Sequence, residues 1–480
     1  MDLDSHLSHP LHINSMPTLW RKRWHSFRHP INEEKQRLLR ARWDSLPAGL
    51  QTPNQISGRH LTHCGFTTGA SYCSFHCTHC YLPKDANQIP IPSFAQMKEQ
   101  IDANRRFQGP GAGLQITGGD VADAYWRSNR QSELVAIVRY AVDSGLVPML
   151  MTHGQTLLDH PEFLEQLVVD GGLRQMAVHI DMTQAGRAGF PINRVTSETD
   201  LHPLREAFTS LALRVRARTG LPFELSHNCT VTERNIDSVA QVVRWFLDDP
   251  QRSRIWRILS FQPEANTGRT IFSEHPVTPE LVWREICRGI GIPSNGSAYI
   301  GGHPDCNQGA SLLIAERTNY LLPLLPTDTK TRDLFTEILE KLGALSTMTT
   351  DGDAQSGSLL GYRVAGAFAK HPTLAWRIFL RIGWLLISGA IPWEFARALA
   401  MGRAHTINIG THNFMHASQV ANAPNDPVVR ARLDACVFKG AVKNRANGEW
   451  EAVPMCAMNQ SRWSELYEVR LREAAPTSGV

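Results

Sequence analysis

No run of about 20 uninterrupted apolar residues occurs in this 480-residue sequence, so a membrane span has no candidate. The most hydrophobic stretch, Leu374 to Trp393, is broken by Arg377 and Arg381. The region from Met1 to about Leu50 mixes His, Arg, Trp and Pro and lacks an apolar h-region, so a secretory leader is not expected there. Charge of one sign is also scarce. The 49 Lys and Arg against 45 Asp and Glu leave +4, which excludes the strongly basic field of a dedicated nucleic-acid binder and favours a small or neutral substrate. Internal repeats at solenoid periods are absent. Nine cysteines, an odd number with three of them inside eight residues, do not make a disulfide framework. They suit reduced thiols and a cytoplasmic protein.

What the chain does carry is alternation. From about Gly58 to Arg269, β-rich apolar runs alternate with amphipathic helical patterns, the sequence form of repeated βα units on a parallel sheet. Six strands are expected: His60 to Phe66, Gly113 to Thr117, Val147 to Met151, Gln175 to Ile180, Phe223 to Val231 and Ile255 to Phe261. Helices are expected at Phe94 to Phe107, Glu133 to Val142, from Pro161, at Leu204 to Arg218 and at Val239 to Leu247. Pro161 suits a first helical turn, where its missing N–H costs nothing. The count predicts an α/β fold with an open, partial (β/α)6 barrel over residues 58–270, and reactive residues at its C-terminal strand ends. Residues 1–57 read as an N-terminal extension. After Arg269 the alternation stops and Pro, Gly and Asn punctuate His275 to Gly309. Residues 271–480 therefore read as a C-terminal α+β module, helical from Asp333 to Leu399.

The segment Tyr72-Cys73-Ser74-Phe75-His76-Cys77-Thr78-His79-Cys80-Tyr81 contains Cys-x3-Cys-x2-Cys. Three thiolates on one short loop suit three irons of a 4Fe-4S cubane and leave the fourth iron without a protein ligand. A structural zinc knuckle is the competing reading, with His76 or His79 as fourth ligand, but closed zinc sites usually draw their ligands in two pairs. The triplet follows the first expected strand directly. It resembles the cluster motif of radical S-adenosylmethionine (SAM) enzymes, including the aromatic Tyr81 after the last cysteine. In that superfamily SAM chelates the open iron through its amino and carboxylate groups, and an electron from the cluster cleaves it to a 5′-deoxyadenosyl radical. The resemblance implies a 4Fe-4S cluster, SAM, and an electron donor such as ferredoxin or flavodoxin.

Thr117-Gly118-Gly119-Asp120, at the end of the second expected strand, resembles the Gly-Gly-Glu element of the superfamily, which holds the SAM amino group. Two glycines let backbone approach a ligand, and a carboxylate complements an ammonium. Asp in place of Glu shortens the reach and leaves more of the binding to a backbone carbonyl. Alone, such a segment would be a turn; its register with the cysteine motif marks it. His179 and Asp181 at the fourth strand, with Asn228 and Thr230 on the fifth, are candidate partners for the ribose hydroxyls and carboxylate of SAM. Strand alternation puts His179 and Asp181 on one side, and the bland reading is a hydrogen-bonded core histidine.

Phe261-Gln262-Pro263-Glu264-Ala265-Asn266-Thr267-Gly268-Arg269 is similar to a segment of a radical SAM branch that includes archaeal tetraether lipid synthase and the pterin methylase of methanopterin biosynthesis. His303-Pro304-Asp305-Cys306, His412-Asn413-Phe414-Met415, Cys436 and Pro454-Met455-Cys456-Ala457-Met458-Asn459 resemble later elements of the branch. The resemblance implies that Cys306, Cys436 and Cys456 hold an auxiliary 4Fe-4S cluster, with Cys287, Cys64 or a nearby histidine as fourth ligand. Singly, each of these cysteines would read as a small buried hydrophobe. One departure stands out: the synthase carries an upstream four-cysteine iron site, whereas only Cys64 precedes the triplet here. An identical reaction is not expected.

The function implied is C–C bond formation or one-carbon transfer at an unactivated carbon of a small molecule, lipid or pterin. A peptide- or cofactor-maturing radical SAM enzyme is the alternative, and a zinc-binding interaction protein is the alternative of another class. In the Leu374 to Trp393 stretch, Arg377, Arg381 and Ser388 share one helical stripe while Trp376, Ile378, Phe379 and Leu385 lie elsewhere. That pattern suits a core helix first and a lipid-facing surface second, so peripheral membrane contact is the secondary expectation.

Overall fold

The computed structural model describes residues 16–51, 64–75, 77–270, 276–293, 302–315, 320–323, 329–342, 356–401, 403–444 and 447–461. Six strands follow the βα rhythm: β1 (Cys64–Ala70), β2 (Gly113–Gly118), β3 (Val147–Thr152), β4 (Gln175–His179), β5 (Glu224–Val231) and β6 (Trp256–Pro263). They pair in sequence order and in parallel. The helices Phe94–Gln108, Gln131–Asp143, Pro161–Val169, His202–Thr219 and Val239–Leu247 match the expected ones. Their apolar stripes, such as Met97 and Ile101 on the first, are buried against the sheet.

The first strand runs on to Ala70 rather than ending at Phe66; residues 60–63 of the expected strand lie outside the described ones. Every residue of β1 is buried, and its neighbours press too close for large side chains. A Cβ at Gly65 would stand 2.7 Å from Asn104 Oδ1, and one at Gly69 would stand 2.9 Å from Ile116 Cγ2. Glycine and threonine therefore replace the usual apolar signal over residues 67–70, where the sequence reading had already ended the strand.

Residues beyond 271 widen this same sheet on both edges. They supply β7 (Asn307–Ala315), β8 (Tyr320–Pro323), β9 (Ala404–His412), β10 (Phe438–Lys443) and β11 (Trp450–Pro454). The order is β11-β10-β1-β2-β3-β4-β5-β6-β9-β7-β8. β10 pairs with β1 and β9 with β6, both in parallel, while β11, β7 and β8 form antiparallel flanks. The four helices Thr329–Leu342, Ser356–Lys370, Pro372–Ile387 and Trp393–Ala400 fall in the expected helical region. The helix Met16–Arg28 packs on Ser356–Lys370, where Gly366 admits the Phe27 backbone. No helix among the described residues is long and apolar enough to cross a membrane.

On a flat sheet the seven steps from β10 to β9 would span about 34 Å. Yet their ends meet. Arg432, ahead of β10, donates to the Asn413 carbonyl, just after β9, at 3.1 Å. A Cβ on Gly302, ahead of β7, would stand 2.9 Å from the Ala435 carbonyl oxygen. The loops that flank β7, β9 and β10 therefore meet at a seam, and no hydrogen-bonded ladder joins the two sheet edges among the described residues.

Candidate active site

The cysteine loop leaves β1 and is fastened at Cys73 and Cys80. The Asn87 side chain pairs with both backbone groups of Cys73, donating to the carbonyl and accepting from the N–H, each at 3.0 Å. The Tyr81 hydroxyl donates to the Gly118 carbonyl at 2.6 Å, tying the end of the loop to β2. Gly119 and Asp120 donate their N–H groups to the carbonyls of Ala70 and Tyr72, both at 2.7 Å. Side chains at Gly118 or Gly119 would strike those same carbonyls, and Gly118 sits at φ +124°, so both glycines are required. From β6, the Arg269 N–H donates to the Cys80 carbonyl at 2.8 Å, and its guanidinium offsets charge at the Cys80 sulfur.

Burial, reinforced by neighbouring charge, pushes the Cys73 thiol well above the usual range and the Cys77 thiol up to about 12. Thiols held this way keep their protons until a positive centre replaces them, which is what coordination to iron does. Among the described residues no three His, Cys, Asp or Glu side chains converge as one metal ion needs. The loop offers three thiols, the number of protein ligands that a cubane with one open iron takes; His76, a candidate fourth zinc ligand, lies outside the described residues.

Two of the expected SAM contacts, Asp120 and Asp181, are hydrogen-bonded within the protein. The Asp120 carboxylate is 1% exposed and already occupied: Oδ1 accepts the Asp123 N–H at 2.8 Å, capping the helix Val121–Arg127. Its Oδ2 accepts the Thr152 hydroxyl and the His153 N–H, both at 2.6 Å. It braces β2 against β3 and lines the cavity beside Gly118 and Gly119. Asp181 is likewise buried and takes bonds from His179 Nε2 at 2.6 Å, Thr230 N–H at 2.9 Å and Thr183 N–H at 2.8 Å. Those donors hold its carboxyl far below the ordinary range against the opposing effect of burial. Asp181 orients His179 and does not itself line the cavity.

That cavity, of about 290 Å³, opens at the C-terminal strand ends. Thr117, Gly118, Gly119, His179, Asn228 and Thr230 all line it, as do Cys73, Cys77 and Cys80. Cys306, Cys436 and Cys456 line it too, brought together at the seam where the sheet edges meet. Burial raises all three of their thiols, that of Cys456 to about 12, and neighbouring Cys306 adds to the rise at both Cys436 and Cys456. The Arg432 guanidinium offsets the rise at Cys306, and Arg269 stands in the same relation to Cys80.

Cys64 and Cys287, considered as fourth ligands, are instead core residues that do not reach the cavity. His412 does line it. Its Nδ1 faces Asn307 Oδ1, an acceptor, which places the proton there and the lone pair on Nε2. Sequence reasoning quoted Glu264 without giving it a role. Its side chain is fully buried at the cavity wall with both oxygens lacking a hydrogen bond; His79 Nδ1 approaches to 2.9 Å but is not aligned to donate. The available signal was its position just past the end of β6.

No family model matches the sequence, and no curated protein does. Among solved structures, the fold is similar in part to HydG, a maturase of the FeFe-hydrogenase, at TM-score 0.31 and 6% identity. That match covers 58% of this chain, which spans 65% of the length of HydG. It is also similar to anSMEcpe with bound AdoMet, at TM-score 0.31 and 12% identity over 65% of this chain and 97% of that one. A further anSMEcpe structure, with AdoMet and the Cp18Cys peptide, gives TM-score 0.29 and 11% identity. Likeness at this level carries no argument about chemistry.

Proposed function

We propose that this chain is a radical SAM enzyme that reductively cleaves SAM and acts at an unactivated carbon, forming a C–C bond or transferring a one-carbon unit. The observation that carries the reading is the meeting of two cysteine triplets, far apart in sequence, on one cavity beside the Gly118–Gly119 turn. Cys73, Cys77 and Cys80 would hold the 4Fe-4S cluster, which when bound supplies the electron for SAM cleavage. Arg269 offsets thiolate charge at Cys80. Asp181 fixes the ring of His179 toward the cavity, and the glycine pair presents backbone to the polar end of a ligand. Met149, Met151, Ile258 and Phe414 contribute apolar wall that keeps water from the reacting carbon.

Cys306, Cys436 and Cys456, with His412 as candidate fourth ligand, would hold an auxiliary cluster. The cavity sits at the small end of the range for ligand sites, about 300 Å³ upward, so a long substrate would insert only its reacting end. Both a lipid or pterin and a peptide or cofactor precursor meet that condition. An external donor such as ferredoxin or flavodoxin would deliver the electron.

The test is anaerobic reconstitution followed by SAM, reductant and separate lipid, pterin and peptide fractions carrying deuterium. Wild-type protein should form 5′-deoxyadenosine and take deuterium into it from one fraction. Cys73→Ala, Cys77→Ala and Cys80→Ala should each form none. Undiminished 5′-deoxyadenosine from any of them refutes the assignment.

A further inference from the structure

The helix Pro372–Ile387 is built inside out. A helix on a globular protein turns its apolar stripe inward and its charges outward. Here Trp376, Phe379, Leu380, Trp384 and Ile387, at helical spacing on one stripe, are exposed, from about half for Leu380 to 84% for Ile387. The arginines reach the helix Thr329–Leu342: Arg381 Nε donates to Thr331 Oγ1 at 2.6 Å, and Arg377, itself exposed, pairs with Glu337. Leu374, fully buried, and the half-buried Leu385 and Leu386 supply the apolar anchoring to the body. Apart from the Arg381 guanidinium, which lies 4.5 Å over the Trp384 ring, the outward stripe is exposed, and the exposed Trp393 follows beyond the end of the helix.

We infer that this face seats the protein on the surface of an anionic lipid bilayer. Charge selects that occupant. The helices Met16–Arg28, Ser356–Lys370 and Pro372–Ile387, packed in series, carry eight Lys and Arg and no Asp or Glu. A second copy docked on the face would bring like charges together, whereas anionic headgroups attract them. Residue type agrees with charge. Three of the exposed side chains, Trp376, Trp384 and Trp393, have an apolar body and a polar N–H, which suits the headgroup boundary more than either water or hydrocarbon. At 16 residues the helix is about 24 Å long, and since no described helix can cross a membrane, it lies in the plane of the interface. The inference does not depend on the chemistry of the cysteine sites.

Co-sedimentation of the full chain with vesicles of phosphatidylcholine containing phosphatidylglycerol, against phosphatidylcholine alone, tests it. The protein should sediment with the anionic vesicles and release as salt rises past the range where the screening length falls below about 10 Å. The triple variant Trp376→Ser, Phe379→Ser, Trp384→Ser removes outward side chains only, so its thermal unfolding should match wild type. Its partitioning should weaken by a factor on the order of ten or more, given the apolar area withdrawn. Wild-type protein that stays in the supernatant, or a triple variant that sediments as wild type does, overturns the inference. So does a concentration-dependent dimer in sedimentation velocity that the triple variant abolishes without any vesicle binding, which would make the occupant a second copy.

Discussion

Asp120 and Asp181 occupy the strand-end positions where ligand contacts gather, and both are fully engaged with other parts of the protein. Their partners explain why the sequence did not disclose it. The cysteine motif and the glycine pair are legible because spacing within a few residues fixes their geometry. The groups that saturate Asp120 come from Thr152 and His153 on the next βα unit, more than thirty residues away, and no local pattern records them. Asp120→Ala should therefore act first on stability, lowering the unfolding free energy by about 1–3 kcal/mol through the lost cap and unpaired donors. Denaturant unfolding of wild type and variant measures it. Asp120→Asn, which retains a capping oxygen, should recover part of the loss. If Asp120→Ala unfolds as wild type does but binds SAM weakly, the carboxylate is a ligand contact after all.

Among elements, β9 shows what reading by motif overlooks. Its residues Ala404 to His412 alternate strictly between partly exposed and buried, with His405, Ile407, Ile409 and Thr411 inward. That period of two marks a strand, but two histidines and two threonines among nine residues dilute its hydrophobicity. The core strands β2 to β6 were readable because runs such as Val147 to Met151 are apolar throughout, as burial on both faces demands. The inward His405 has a measurable consequence. Its Nε2 lies 2.9 Å from Ser253 Oγ, and burial lowers its pKa to about 4. In the unfolded chain it titrates near 6.5, so between those values the unfolded state binds the extra proton. Stability is whole above about pH 6.5 and falls as pH drops toward 4, by on the order of 2 kcal/mol at about pH 4.5. Unfolding curves at pH 7 and 4.5 should show the loss, and His405→Gln should reduce the difference between them. Equal pH dependence in the variant would assign the effect elsewhere.

Across the whole molecule, the chain after residue 271 does not stand apart but completes both edges of the sheet and carries the late cysteines to its seam. The break in βα rhythm was visible in the sequence; the return to the same sheet was not, because pairing of β10 with β1 joins residues nearly 400 apart. If the late triplet holds a cluster, a variant lacking Cys73, Cys77 and Cys80 should still bind about four irons after reconstitution, the content of one cubane. Replacing Cys456 as well should remove them and loosen the seam, since metal that binds only the folded form stabilises it. Absence of iron from the first variant would leave the late cysteines as packing residues.

The seam also sets an order of events during synthesis. Cys73, Cys77 and Cys80 leave the ribosome early and close together, while Cys456 follows almost a full chain later, roughly 20 to 80 seconds behind at ordinary elongation rates. Until β10 arrives, β1 is an uncovered sheet edge beside three reactive thiols, exposed both to oxidation and to wrong pairing. A nascent chain of this protein should therefore depend on holding factors, or on scarce oxygen, for longer than its size alone would suggest.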